Sequence, residues 1–397
     1  MGGGLFAPGC SDDSGGGGVD AAPDGGTPDA SDSGPGDDAE SDAQGWEDAE
    51  VDSGPPVDAD CVSAQGPGAS GTHHWSDDVG EATVSVSGQD CARSYTLETT
   101  APLRDGLPDN PRTFGEEAGW PSVSTQNDLF DALYALALEE VRQCSVSAIQ
   151  DGAYNGGNPM NCAPGGCFET GRLWTFAWTR DTAYAVDLGL ASLDPTRARN
   201  TLEFKLSELR GGGGLQIVQD TGSGGSYPVS SDRVVWALGA WRVAQFLDGA
   251  ERDAFVAQAY EAMANTIDHD RGVVFDPESG LYHGEQSFLD WREQSYPIWT
   301  QSDTVHLHMS KALSTNVGHL KLLEIAAAFA DELGETAARD IYTGWADDLR
   351  VAIRDTLFDA DAGLYSAFIT RELDPAPARP YALGGNAVAG RHGVCGG

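Results

Sequence analysis

Residues 174–184 read WTFAWTRDTAY, and a mostly apolar run follows them as far as residue 193. The run predicts a buried helix over residues 181–193. A further helix is predicted directly after it, because Pro195 suits a first helical turn and the glycines at 211–214 would end it. The stretch therefore places two tryptophans and an Arg-Asp pair where a loop enters a helix.

Helical periodicity continues along the chain from about residue 125, with Thr125 or Asn127 as the first cap. The remaining predicted helices are 128–138, 232–247, 251–267, 316–333, 335–357 and one that begins near 385. A long polar loop is predicted over 269–303. Helical hairpins with long loops at one end are typical of a barrel of paired helices, whereas a solenoid would repeat every ~34–47 residues. We therefore predict a mainly α fold, an (α/α)6 toroid of helical hairpins, over residues 123–397.

Two regions with a different pattern precede the helices. Residues 82–87 and 94–99 alternate with period two, which predicts a short β-rich segment within residues 61–122. Residues 11–60 hold sixteen Asp or Glu and no Lys or Arg, among many Gly, Ser, Pro and Ala. Such a composition buries too little apolar surface to offset its ordering entropy. Residues 1–60 are therefore predicted to be a disordered acidic linker.

The formal net charge of -39 excludes nucleic acid and anionic membranes as favoured partners. Residues 5–10, LFAPGC, resemble the end of a bacterial lipoprotein signal in which Cys10 would be lipidated, and a chance Cys is the alternative. We expect an exported monomer, either periplasmic or a cell-surface lipoprotein. Cysteines in loops favour an oxidising compartment, with Cys162–Cys167 and Cys61–Cys91 as candidate disulfides.

The aromatic stretch has the chemistry of a sugar site. Indole faces stack on the apolar face of a pyranose, which suits Trp174 and Trp178, and a carboxylate such as Asp181 accepts hydrogen bonds from hydroxyl groups. The alternative is structural: Asp181 would cap the helix and Arg180 would pair with it.

The loop at 280–297, GLYHGEQSFLDWREQSYP, carries three carboxylates among aromatic residues. Partial burial would raise the pKa of one of Glu285, Asp290 and Glu293, as a general acid requires near neutral pH. Trp291 lies beside Asp290 and could contact substrate. The alternative is a solvated loop whose acids pair with Arg292.

Two weaker patterns accompany this loop. Residues 224–233 contain Tyr227 and Asp232 after a Gly pair that permits close approach of a ligand, while serines or Asp232 could equally cap the next helix. His306 and His308 lie two residues apart, but nothing nearby completes a three-ligand metal site, so packing is the favoured interpretation. No cofactor is expected. Calcium is not supported by a D-x-[DN]-x-[DN]-G loop.

The residues WTRD at 178–181 with the following apolar helix, and the GLY…DW loop at 280–291, resemble the six-hairpin glycosidases: glucoamylases, trehalases and glycogen-debranching enzymes. The resemblance covers about residues 125–390. It implies an (α/α)6 barrel and inverting hydrolysis of a carbohydrate substrate, an oligosaccharide or polysaccharide such as an α-glucoside. By the same resemblance Asp290 would be the general acid, with Glu293 and Glu285 as rivals.

The resemblance also implies which residues bind the sugar. The substrate-binding set is Trp174, Trp178, Arg180, Asp181, Tyr227, Asp232, Trp291 and Arg292. Trp178, Arg180 and Asp181 would hold the sugar at the cleavage subsite.

The helix count departs from the family pattern. Seven or eight helices are predicted, while the barrel needs twelve, and residues 391–397, RHGVCGG, lack an apolar period. An inverting enzyme needs a second carboxylate about 6.5–9.5 Å from the first. Because the family places this base in the last third of the barrel, we expect a truncated barrel with the base beyond residue 397.

Two other functions fit parts of the pattern. A non-catalytic carbohydrate-binding surface lipoprotein would keep the aromatic residues for binding alone. A polysaccharide lyase also uses a helical toroid, but it needs cationic groups for an acidic sugar, which the negative charge disfavours.

Overall fold

The computed structural model describes residues 71–89, 91–103, 109–125, 127–208, 214–218, 231–284, 309–369, 381 and 383–394. All of them belong to the compact unit Ala59–Gly397. No helix within these ranges is long and apolar enough to cross a membrane. The predicted linker over 1–60 lies outside the described residues.

A four-stranded antiparallel sheet comes first, in the order β1 to β4. Its strands are β1 (Gly71–Ser76), β2 (Glu81–Ser87), β3 (Ser94–Thr99) and β4 (Arg112–Gly115). The alternation in β2 turns Val84 and Val86 inward, where they pack with Tyr95 and Phe114 against the first helix. The predicted β-rich segment is confirmed.

A buried ionic cluster fastens this sheet to the helix that follows. Arg93 donates to Glu116 Oε1 through Nη2 at 2.6 Å and to Asp131 Oδ2 through Nη1 at 3.0 Å. The side chains of all three residues are at most 5% exposed. Charges are buried in folded proteins when they are paired, so this cluster fixes where the helix lies on the sheet.

The rest of the described chain is mainly helical. The helices are α1 (Asp128–Gln143), α2 (Thr179–Ala185), α3 (Ala191–Leu193), α4 (Pro195–Phe204), α5 (Asp232–Ala244), α6 (Gly249–Val273), α7 (Leu313–Glu332), α8 (Thr336–Leu357) and α9 (Leu383–Arg391). A π-helical segment, Val186–Leu190, joins α2 to α3. The mainly α prediction is confirmed.

Short two-stranded ribbons connect the helices. The antiparallel pairs are β5 (Ser145–Val146) with β8 (Cys167–Phe168), β6 (Ala148–Ile149) with β7 (Met160–Asn161), β9 (Leu206–Ser207) with β10 (Gln216–Ile217), β11 (Phe275–Asp276) with β12 (Leu281–Tyr282), β13 (Lys311–Ala312) with β16 (Phe368–Ile369), and β14 (Phe358–Asp359) with β15 (Leu364–Tyr365). Five of the six lie between consecutive helices, whereas β13 and β16 pair across the hairpin of α7 and α8.

The helices form an inner and an outer layer. Nearly every residue of α5 is buried, as are most of α7, which places both helices inside. In α8 burial follows a single stripe from Tyr342 through Leu349 to Leu357, which places it outside. The inner helices α2, α5, α7 and α9 pack side by side in that order. Alternating inner and outer helices are the arrangement expected of an α/α toroid.

Glycines allow the inner helices to approach closely. A Cβ on Gly239 of α5 would come within 3.3 Å of the Ala183 carbonyl oxygen of α2, and one on Gly318 of α7 within 2.9 Å of Val234 of α5. A larger residue at either position would require the neighbouring atoms to shift.

One ribbon motif occurs twice, as FDPESGLY at 275–282 and FDADAGLY at 358–365. In each copy the Asp Oδ1 accepts a backbone N–H two residues later, and the glycine has a positive φ, 70° at Gly280 and 63° at Gly363. A positive φ is costly for residues with a Cβ, which accounts for the glycine. The Phe and Tyr rings also pair alike, at 5.1 Å in the first copy and 5.0 Å in the second.

An asparagine on the next inner helix binds each copy of this motif. The Asn316 amide accepts from the Tyr282 N–H at 2.7 Å and donates to the Tyr282 carbonyl at 3.0 Å. Asn386 bonds to Tyr365 in the same way, at 2.9 Å for both bonds. These two asparagine clamps satisfy the backbone groups of each ribbon and set where α7 and α9 begin.

Several predicted boundaries were wrong. The helix from Pro195 ends at Phe204 rather than at the glycine run, because β9 follows at once. The first part of the predicted polar loop over 269–303 is not a loop. Helix α6 continues to Val273, and the ribbon of β11 and β12 follows it. Of the two cap candidates, Asn127 accepts from the Phe130 N–H.

The cysteine predictions are partly confirmed. Cys162 and Cys167 form a disulfide with a Cα–Cα distance of 5.7 Å. Cys91 is also disulfide-bonded, while its predicted partner Cys61 lies outside the described residues.

Candidate active site

The first turns of α2 and α5 meet at a buried ion pair. Arg180 Nη1 lies 3.6 Å from Asp232 Oδ1, and the two side chains are only 7% and 6% exposed. The pair thus joins two of the eight predicted substrate-binding residues. Because it lies where two inner helices begin, we call it the mouth pair.

The capping interpretation of Asp181 and Asp232 is wrong. Trp178 occupies the N-cap position of α2 and Ser231 that of α5, and neither side chain makes a capping hydrogen bond. Both acids instead lie within the first helical turn. Carboxylates are stabilised there by the helix dipole, so they need no capping role to be favoured.

A second buried pair lies next to Asp232. Arg233 Nη2 donates to Asp270 Oδ1, and both residues are 1% exposed. His269 Nδ1 lies 3.2 Å from the same oxygen and 3.4 Å from Arg233 Nη1. This cluster ties the start of α5 to the last turns of α6, so it holds Asp232 in place. Sequence analysis missed it, although the run His-Asp-Arg at 269–271 was a usable signal.

A stacked ring pair lies close to this cluster. The ring of His319 on α7 stacks on that of Tyr282 at 3.7 Å between centroids and 7° between planes. Burial lowers the pKa of His319 to about 4, with Asp270 opposing the shift and Arg233 and Arg271 adding to it. Burial also raises the pKa of Tyr282 to about 12. His319 is therefore neutral near neutral pH and serves as a packing ring.

The stability of the fold should fall with acid because of His319. Its folded pKa of about 4 lies below the unfolded value of ~6.5, so its contribution is complete above pH 6.5 and is lost as the pH falls toward 4. The loss between about pH 7 and pH 4 is about 3 kcal/mol. His319→Phe keeps a ring for stacking but cannot take up a proton. Urea unfolding of both proteins at the two pH values should therefore show a smaller loss in the variant. An equal loss in both would contradict the prediction.

A large cleft is lined by other residues of α2, Asp181 among them. It has a volume of about 1230 Å³ and lies between β4 with α1 on one side and the start of α2 on the other. Trp174 and Asp181 line it. Trp174 is 56% exposed, and Asp181 is half-buried.

The three residues that were predicted to hold the sugar at the cleavage subsite have different surroundings. Trp178 is half-buried in an aromatic cluster, 5.9 Å from Tyr154 and 5.7 Å from Phe176 between ring centroids. Arg180 reaches Asp232, whereas Asp181 lines the cleft. Of the three, only Asp181 is among the residues that line the cleft.

The remaining predicted site residues lie outside the described residues. They are Tyr227, Glu285, Asp290, Trp291, Arg292 and Glu293, together with His306 and His308. Within the part of the chain that the structure describes, no group of three or more His, Cys, Asp or Glu is placed to hold a metal ion.

The inner and outer helices form a mainly α fold that is consistent with that of a glycosidase. The model of the mannosylglycerate hydrolase MGH1-like glycoside hydrolase domain matches residues 175–383, which is more than half of the 397 residues. The chain therefore belongs to this glycoside hydrolase family, and the predicted relation to six-hairpin glycosidases is confirmed.

One solved structure that resembles the chain is a GH78 family rhamnosidase of Bacillus sp. GL1. The identity is 22%, the TM-score is 0.32, and the match covers 43% of this chain and 16% of the rhamnosidase chain. The chain thus spans less than a fifth of that relative. No curated protein matches the chain.

Proposed function

We propose that the chain is a glycoside hydrolase that acts on an oligosaccharide or polysaccharide by an inverting acid–base mechanism. The mouth pair of Arg180 and Asp232 is the observation that carries this proposal, within a chain of a glycoside hydrolase family. Polar groups that are fixed before substrate arrives can stabilise a transition state without reorganisation. Burial of both side chains at the start of two inner helices provides such fixed groups.

The acid–base role is assigned to the loop that follows β12. In our proposal Asp290 protonates the leaving-group oxygen, with Glu293 and Glu285 as the alternatives. Trp291, Arg292 and Tyr227 would contact the sugar. The support is the order along the chain: these acids follow β12, whose Tyr282 is bound by Asn316 of α7.

The mouth pair has a positioning role in this proposal. Arg180 and Asp232 hold the first turns of α2 and α5 together, and the cluster of Arg233 and Asp270 holds α5 against α6. Three helices that supply groups near the mouth are thereby fixed relative to one another. When the groups of a site are fixed in this way, a substrate that binds is held in the orientation that the reaction needs.

The test is an assay of the purified chain on neutral oligosaccharides, α-glucosides among them, followed by proton NMR of the first product. Hydrolysis that releases a sugar of inverted anomeric configuration is the expected result. Retention would reject the inverting mechanism. Unsaturated uronic acid ends from acidic polysaccharides would identify a lyase, and binding with no turnover on any substrate would identify a carbohydrate-binding protein.

A further inference from the structure

The cleft lined by Trp174 and Asp181 is larger than a small glycoside requires. Its volume of about 1230 Å³ exceeds the ~300–1,000 Å³ that is usual for small-molecule sites. It lies between α1 and β4 on one side and the inner helix α2 on the other. A cleft of this size and position suits several linked sugar rings better than one.

A rigid turn presents apolar side chains at this cleft. The Gly171 N–H donates to the Trp174 carbonyl at 3.1 Å, and the Trp174 N–H donates to the Gly171 carbonyl at 2.9 Å. Between these bonds Leu173 and Trp174 are each 56% exposed and line the cleft. The exposed indole of Trp174 offers a face on which the apolar face of a sugar ring can stack, and Leu173 adds apolar surface beside it in the chain.

The charges around the cleft select against acidic ligands. Its described lining holds five carboxylates and two guanidinium groups, those of Arg112 and Arg172. Arg112 Nη1 already donates to Glu140 at 2.9 Å. Carboxylates such as Asp181 and Glu169 accept hydrogen bonds from hydroxyl groups, but they repel uronates and glycerates.

We propose that this cleft, with Trp174 and Leu173 as its stacking surface, binds a neutral oligosaccharide of several sugar residues. The ligand class rests on the proposed carbohydrate function. Asp181, which lines the cleft, follows Arg180 directly in α2, so the cleft and the mouth pair share the first turn of this helix.

Equilibrium binding to the full chain tests this proposal, with calorimetry on maltohexaose, mannohexaose and the acidic disaccharide analogue mannosylglycerate. At least one neutral hexasaccharide is expected to bind more tightly than mannosylglycerate. Trp174→Ala and Leu173→Ala should each weaken that binding, the former by tenfold or more. The matched control is Trp75→Ala, since Trp75 is 40% exposed on β1 and does not line the cleft. It should leave the affinity within twofold of the parent value.

Three results would overturn the cleft assignment: no binding of either neutral hexasaccharide, unchanged affinity in both cleft variants, or preference for mannosylglycerate. Turnover is scored separately. Binding that depends on Trp174 without hydrolysis supports the cleft and rejects the hydrolase proposal. If the protein hydrolyses a substrate but both cleft variants bind it as tightly as the parent does, only the cleft assignment is rejected. Circular dichroism of each variant confirms that the fold is kept.

Discussion

Replacing Asp290 by Asn is expected to lower kcat about 10²–10⁴-fold, the usual contribution of a general acid. The amide has almost the same shape as the carboxyl group but cannot deliver a proton to the leaving oxygen. Sugar affinity should stay within a few-fold of the parent value, because ground-state contacts are kept. Initial rates on the best neutral substrate, with calorimetric affinities for the same sugar, measure both quantities.

Glu293→Gln and Glu285→Gln are the matched comparisons for this experiment. Each removes one carboxylate from the same loop, so a general loss of charge would affect all three variants alike. A larger loss of kcat in either of them than in Asp290→Asn would move the acid role to that residue. If no variant loses more than tenfold, the acid assignment to this loop is wrong.

Replacing Arg93 by Ala is expected to destabilise the chain by about 3–5 kcal/mol, the cost of leaving a buried charge without its partner. Glu116 and Asp131 would both lose the guanidinium that neutralises them, at side-chain exposures of 5% and 1%. The sheet and α1 share one small core, so the loss should appear as early unfolding of this part. Urea unfolding followed by tryptophan fluorescence and by circular dichroism measures it.

Arg112→Ala is the control for this prediction. Arg112 Nη1 bonds to Glu140 at 2.9 Å on the same sheet and helix, but Glu140 is 56% exposed. Exposed pairs contribute at most about 1 kcal/mol, so this variant should lose little stability. An equal loss of unfolding free energy in the two variants would show that burial does not determine how much the Arg93 cluster contributes to stability.

Secondary structure was the part of the fold that the sequence predicted best. Strands β2 and β3 follow from period-two alternation, and α8 from a single apolar stripe whose buried members run from Tyr342 to Leu357. Both signals are local, since they depend on which face of one element is buried. The end of α4 was missed because β9 forms only through its partner β10, which follows later in the chain.

The sequence predicted individual residues of the candidate site but not which of them contact each other. The motif at 178–181 identified Arg180 and Asp181. The ion-pair partner of Arg180, however, is Asp232, which belongs to another helix and another motif. A cap and a first-turn acid have the same sequence pattern, and only packing between α2 and α5 decides between them. His319 carried no motif, because its role arises from burial between helices.

The two asparagine clamps have a consequence for how this chain is made. Each joins a ribbon to a helix close by in sequence, 34 residues apart for Tyr282 and Asn316 and 21 for Tyr365 and Asn386. A ribosome adds about 5–20 residues per second, so a clamp can close within seconds of its asparagine leaving the exit tunnel. Such short-range closure lets each ribbon bind the following inner helix without waiting for a distant part of the chain. Synthesis from the N-terminus would then assemble the inner layer one helix at a time. Few apolar helix faces would stay exposed until a distant part of the chain is made.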